Sequence, residues 1–238
     1  TGVCMEQMIT YMRGLDWSPL IISLKTGVVA TAFSFFLGIL AARKVVKAGP
    51  KTKAIADGIL TLPMVLPPTV AGFFLLLIFS LRRPFGSCLY QNMGIKVVQT
   101  WLGCIFAATI IAFPLMYRNA RAAFEQVDPN LIYAARTLGM SEMCIFWKVV
   151  IPAAGPGILS GTILTFARAL GEYGATSMLA GNIPGKTSTI SQKIAMVIQD
   201  GDYATAGFWV VVILLIAFLV VFLMNLIAGK STNSRRRW

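Results

Sequence analysis

The chain contains no histidine, and only nine of its 238 residues are acidic. Without histidine there is no Ser-His-Asp triad, no HExxH zinc site and no histidine-ligated haem. Charge of either sign is scarce: 13% of residues, against about 25% in an ordinary soluble domain. The four cysteines, Cys4, Cys88, Cys104 and Cys144, are far apart and show no CxxC spacing, which argues against a metal or redox centre. What is plentiful is apolar: 57% of residues are hydrophobic and the mean hydropathy is +0.75. This composition belongs to a membrane protein. The 21 basic residues leave a net charge of +12. In a soluble chain that excess would suggest nucleic acid. In a membrane chain it collects in the cytoplasmic loops.

A helix needs about 20 mostly apolar residues to cross the hydrocarbon core. Five stretches qualify, at 19–42, 60–80, 97–117, 157–180 and 206–229. The second carries Pro63, Pro67 and Pro68 in its first half, and the third carries Pro114 near its end. Lys25 lies near one end of the first span, where its ammonium can snorkel to the interface. The fourth contains Arg168 and Glu172. The expected fold is an all-α polytopic membrane bundle forming a single domain over residues 1–238. Residues 43–53 hold Arg43, Lys44, Lys47, Lys51 and Lys53; 118–148 hold Arg118, Arg121, Arg136 and Lys148; the tail holds Lys230, Arg235, Arg236 and Arg237. These 13 basic residues share one side in a five-span topology and six fall on the other. The N-terminus is therefore expected outside and the C-terminus inside. Cys4 and Cys88 then both face outside, which leaves a disulfide between them open. The first 18 residues, with Glu6, Arg13 and Asp16, are too polar for a signal peptide.

The inside segment 118–150 reads as structure rather than linker. Asp128 is a good N-cap, and Pro129 suits the first helical position. Gly139 suits a left-handed stop. Ser141 can cap a second helix, with Glu142 in its first turn beside the positive dipole end. The expectation is a helix–Gly–helix hairpin centred on Tyr133, Ala134, Ala135, Arg136, Thr137, Leu138 and Gly139. From periodicity alone, the alanines serve either close docking by a partner or plain helix formation.

This hairpin resembles the coupling loop of ABC importer permeases, whose pattern is E-A-A-x3-G-x9-I-x-L-P. Ala134, Ala135, Gly139 and Pro152 occupy matching positions. Tyr133 replaces the acid, Val149 replaces Ile and Ile151 replaces Leu. Tyr133 removes the charge that a salt bridge from that position would use. Downstream, Phe166-Ala167-Arg168-Ala169-Leu170-Gly171-Glu172-Tyr173-Gly174-Ala175-Thr176 and Asn182-Ile183-Pro184-Gly185-Lys186-Thr187 are similar to the oxyanion branch, most of all to molybdate and tungstate permeases. Leu66-Pro67-Pro68 is similar too, and sulfate permeases share the Leu170–Gly174 stretch.

The resemblance implies a non-catalytic permease subunit of an ATP-driven importer, moving molybdate or tungstate inward by alternating access. It implies a second permease copy as homodimer partner, two cytoplasmic ATPase subunits and an external oxyanion-binding protein, in the inner membrane, with no nucleic-acid partner. No cofactor is expected in this chain; ATP and Mg act on the ATPase. The coupling residues implied are Tyr133, Ala134, Ala135, Arg136, Leu138, Gly139 and Glu142. Arg168 and Glu172, four apart on one helix face, are candidates for pathway or gate, or else a structural ion pair. Thr165, Pro67 and Thr69 are further pathway candidates. Asn182, Pro184, Gly185, Lys186 and Thr187 form the expected outer-mouth loop. Gly185-Lys186-Thr187 mimics the end of a phosphate-binding loop, but Ala180 stands where that pattern needs glycine and Pro184 intrudes. Beyond it, Ile190, Ile194, Val197 and Ile198 predict a short amphipathic helix. Two other readings compete. A sulfate-type permease fits the shared motifs, and an ion-coupled secondary transporter would need a midplane ion site for which Glu172 alone qualifies. An intramembrane enzyme lacks the usual acid–base groups.

Overall fold

The computed structural model describes residues 16–235, with side chains through residue 226 except at 224. Every regular element among them is a helix. The expected Cys4–Cys88 pairing lies outside the described residues. Helix α1 (Ser18–Val46) has Pro19 in its first turn and Arg43 and Lys44 in its last, where cations complement the helix dipole. Its 29 residues extend about 43 Å. Helix α5 (Trp101–Glu125) lies parallel to it. The Trp101 indole donates to the Thr26 hydroxyl at 2.9 Å, and Ser34 donates to the Thr109 carbonyl at 3.3 Å. Helix α8 (Gly155–Leu170) runs antiparallel to α5, with Gly157 against Ala123 and Gly161 against Asn119. Small residues let these three backbones approach closely. Ala30, Ala108, Ala112 and Ala169 form one buried knot. Nearer the far end of α1, Ile39, Met116, Tyr117, Phe124 and Ile158 form a larger core.

The stretch expected to span from 60 to 80 is not one helix. Helix α2 (Pro50–Val65) and helix α3 (Pro68–Phe79) meet at 106°. Leu66 and Pro67 each precede a proline, which pushes both to extended ψ values of 143° and 134°. Helix α4 (Pro84–Met93) stands where a loop was expected. Pro84 opens it, and Gly94, in the left-handed region at φ 66°, closes it. Helix α5 begins at Trp101 and continues to Glu125, so Arg118 and Arg121 belong to it rather than to a loop.

Helix α6 (Pro129–Thr137) and helix α7 (Glu142–Ala153) form the hairpin; α7 carries a π-helical stretch at Phe146–Val150. It enters α8 through a 72° bend. The expected span at 157–180 is also interrupted. Helix α8 stops at Leu170, and a separate short helix α9 (Gly174–Ala180) follows. Helix α3 docks on α9, with Gly72 facing Ala175. Helix α10 (Ile190–Gln199) buries Ile190 and Val197 while Ile198 stays exposed. The last helix, α11 (Tyr203–Arg235), keeps most of the apolar side chains of its Tyr203–Leu223 part exposed and anchors through the fully buried Trp209. Helices α1, α5 and the Tyr203–Leu223 part of α11 are each long and apolar enough to cross a membrane. The bent pairs α2–α3 and α7–α8 bring the count to five.

A Cβ at Gly72 would come within 2.7 Å of the Ala175 backbone. Gly72→Val is therefore expected to destabilise the fold by about 1–3 kcal/mol. Gly58→Ala on α2, where nothing lies within 4 Å, is expected to be neutral or stabilising by up to about 1 kcal/mol. Thermal unfolding of the two variants in detergent checks both.

Candidate functional site

The hairpin is built from local signals. The Asp128 carboxylate accepts from the Asn130 N–H at 2.9 Å, and the Ser141 hydroxyl accepts from the Cys144 N–H at 3.4 Å. Between the two helices Gly139 takes φ 75°. Tyr133, Ala134, Arg136, Leu138, Gly139 and Glu142 are exposed; Leu138 is 80% accessible. Ala135 differs from its neighbours: it is buried and faces the body of its own chain. A surface of Tyr133, Leu138, Met143 and Trp147 thus projects outward.

Helix α1 holds this hairpin from the side. Arg136 Nε donates to Glu142 Oε1 at 2.7 Å, and Lys47 Nζ donates to Glu142 Oε2 at 3.3 Å. Arg136, then Lys47, hold the Glu142 carboxyl below its usual range, while Glu142 raises the Arg136 guanidinium. The Arg43 guanidinium lies 4.2 Å from the Phe146 ring centroid, a cation–π geometry. In sequence, Arg43 and Lys47 carry weight only as orientation charges; their anchoring role requires a fold that brings residues about 100 apart together.

The second constellation is the meeting of two helix breaks. Arg168 Nη1 and Glu172 Oε2 lie 2.7 Å apart; Glu172 is buried and the Arg168 side chain is one-third exposed. Glu172 Oε1 also accepts from the Ala175 N–H at 2.8 Å. The carboxylate therefore braces the corner between α8 and α9. Gly174 packs against Pro68 and Thr69, so this corner touches the α2–α3 break. Pro67 and Thr69 are exposed there. Thr165 is not presented to a path: it is fully buried, and its hydroxyl donates to the Gly161 carbonyl at 2.7 Å.

The loop at 181–189 has an exposed tip and a buried stem. Asn182, Pro184, Gly185 and Lys186 are exposed, with Gly185 at φ 71°. Thr187, expected with them, is fully buried. Its hydroxyl accepts from the Ile183 N–H at 3.0 Å and donates to the Gly181 carbonyl at 3.2 Å. A capping box between Thr189 and Gln192 opens α10, and the Ile190 N–H donates to Ser23 at 2.8 Å. The tip lies beside Lys25 and Trp101, at the end of α1 far from the hairpin.

A third cluster gave no sequence signal. Asp57 of α2 pairs with Arg121 of α5 and accepts from the Tyr117 hydroxyl. Arg121 Nε reaches Glu125 Oε1 at 3.1 Å, and Lys53 pairs with Glu125.

Comparison with known proteins fits this architecture. The family described as "Binding-protein-dependent transport system inner membrane component" matches residues 34–233. The chain belongs to this family. The permease is 42% identical over 184 residues to the molybdenum transport system permease protein ModB of Escherichia coli K12, covering 77% of this chain and 80% of that one. It is 38% identical over 209 residues to a putative molybdenum transport system permease protein, YvgM, of Bacillus subtilis 168, covering 88% and 92%. It is 34% identical over 209 residues to the sulfate transport system permease protein CysT of E. coli K12, covering 88% and 75%. Among solved structures, the MetNI methionine ABC transporter in inward-facing conformations superposes with a TM-score of 0.72 at 19% identity, covering 90% of this chain and 94% of that one. That likeness speaks for the fold. The permease is an ABC importer subunit of the inner membrane, of a kind that carries no catalytic centre.

Glu172→Gln keeps an acceptor for the Ala175 N–H but leaves Arg168 without its counter-charge. The variant is expected to lose about 1–3 kcal/mol, read as a lower unfolding midpoint of the purified permease. An unchanged midpoint would show that the ion pair does not brace the corner.

Proposed function

We propose that the permease carries molybdate, or the isosteric tungstate, across the inner membrane as one half of an ATP-driven homodimer. The observation that carries this reading is its 42% identity to a molybdenum permease over most of both chains. Sulfate is the second reading, supported by the 34% identity to a sulfate permease. The N-terminus faces outside and the hairpin faces the cytoplasm, in keeping with the placement of basic residues. Two ATPase subunits, which hold ATP and Mg, dock on the outward surface around Tyr133, Ala134, Leu138 and Gly139. Ala135 supports that surface from within rather than touching the partner. Lys47 on Glu142 and Arg43 over Phe146 tie the hairpin to α1, and Phe146 is seated in the larger core, so a push on it is transmitted to the bundle. The exposed tip Asn182–Lys186 receives the external binding protein.

The mechanism is alternating access without covalent chemistry. The spans offer few donors to a dianion, which suits a conduit in which substrate must both enter and leave. Selectivity then resides mainly in the binding protein. The two facing helix breaks, at Leu66–Pro67 and Gly171–Tyr173, place irregular backbone where two broken helices meet, as broken helices of transporters do at their pathways.

Two tests follow. Proteoliposomes holding the permease, its ATPase and loaded binding protein are expected to accumulate molybdate only with ATP, and excess sulfate should compete weakly. Uptake without ATP would contradict the reading, and preferential sulfate uptake would favour the second. Leu138→Asp, at a position 80% exposed, is expected to change stability by less than about 0.5 kcal/mol. The same variant should abolish ATPase co-purification and uptake together.

A further inference from the structure

We propose that Asp57, Tyr117 and Arg121, joined by Lys53 and Glu125, form a releasable polar clasp that sets the angle of α2 during transport. These five are positioning residues: they fix where the inner half of a broken span lies.

Helix α2 is attached unlike the three central helices α1, α5 and α8. None of its residues is fully buried. Ile55, Ile59 and Leu62 are 64%, 66% and 51% exposed; only Ala56 and Leu60 lean, half-buried, on the core. Within one protomer, close packing of the kind that joins α1, α5 and α8 therefore does not hold it. One attachment is the break at Leu66 and Pro67, which leads to α3, itself seated on α9 through Gly72 and Ala175. The other is the clasp to α5. There Arg121 bridges two carboxylates, pairing with Asp57 and, at 3.1 Å, with Glu125. Lys53 pairs with Glu125, and the Tyr117 hydroxyl donates to Asp57.

The clasp is directional, so it fixes register, but it is also only partly buried. The four charged side chains are 23–36% exposed, and water competes effectively for ion pairs at such sites. An open cavity of about 400 Å³ lies between α1, α2 and α5, walled by Leu37, Ile59, Leu60, Pro63, Ile110 and Phe113. The Phe113 ring stacks on Tyr117 with centroids 6.2 Å apart, linking the cavity wall to the clasp. A hinge at one end, a polar catch along the length and space to move into are the parts of a two-position element.

The test uses the full complex with its ATPase in proteoliposomes. Asp57→Asn is expected to lower the maximal uptake rate about ten-fold. The concentration of loaded binding protein giving half-maximal rate should stay unchanged, as should the yield of complex. Spin labels at Thr52 on α2 and Ala122 on α5, both exposed, report the clasp itself. Their distance distribution is expected to be narrow in the parent and broad in Asp57→Asn. An unchanged distribution, or uptake within about two-fold of the parent, overturns the proposal. If Asp57→Asn yields no intact complex, Tyr117→Phe is measured in its place and the same two outcomes decide. The uptake arm rests on the reading of the permease as an oxyanion importer and the distance arm does not. A parent that imports no oxyanion would sink that reading while the distances still decide the clasp.

Discussion

The bundle depends on how closely α1, α5 and α8 can approach. In a bilayer the lipid tails are as apolar as leucine, so helices associate through tight packing rather than through escape from water. Gly27 against Phe166, Gly38 against Met116 and Gly161 against Asn119 make that packing. The alanine knot of Ala30, Ala108, Ala112 and Ala169 continues it. A Cβ at Gly38 would sit 2.8 Å from Met116, which shows how little slack there is. These three helices are the rigid frame on which the less tightly packed parts are mounted.

The mounted parts seat a few apolar side chains, such as Phe146 and Leu179, and are pinned by polar contacts at their joints. The hairpin is closed by Arg136 on Glu142 and held to α1 by Lys47 on Glu142 and by Arg43 over Phe146. The α8–α9 corner is braced by Glu172. The stem of the 181–189 loop is stitched by Thr187, Gln192 and Ser23. Helix α2 hangs on Asp57, Arg121 and Glu125. A chain with only nine acids thus spends Glu142, Glu172, Asp57 and Glu125 at joints between elements. Apolar packing supplies the frame, and scarce charge marks the places where one element meets another.

The parts legible in the sequence were those written in local code. Asp128, Ser141 and Gly139 announced the hairpin because caps and left-handed stops act within four residues. Long apolar runs announced α1, α5 and α11. Hydropathy carries no direction, so the runs through Pro67–Pro68 and Gly171–Gly174 read as continuous spans although the chain turns at both. The signals for those turns were present: two successive residues each preceding a proline, and a carboxylate three residues ahead of the Ala175 N–H. Pro84 and Gly94 likewise bracketed α4. Thr187 read as a loop-tip residue because nothing local shows that its hydroxyl closes the loop on Gly181. Asp57 and Arg121 are 64 positions apart in the numbering, and no periodicity links them. Contacts of that range belong to the fold rather than to any window of sequence.

Docking of the ATPase on the exposed hairpin surface, as proposed, can be read in a single measurement. A photo-crosslinking residue in place of Tyr133, which is 59% exposed, tests it most directly in intact membranes. An ultraviolet-dependent adduct with the ATPase subunit is expected. An adduct confined to lipid or to the external binding protein would contradict it.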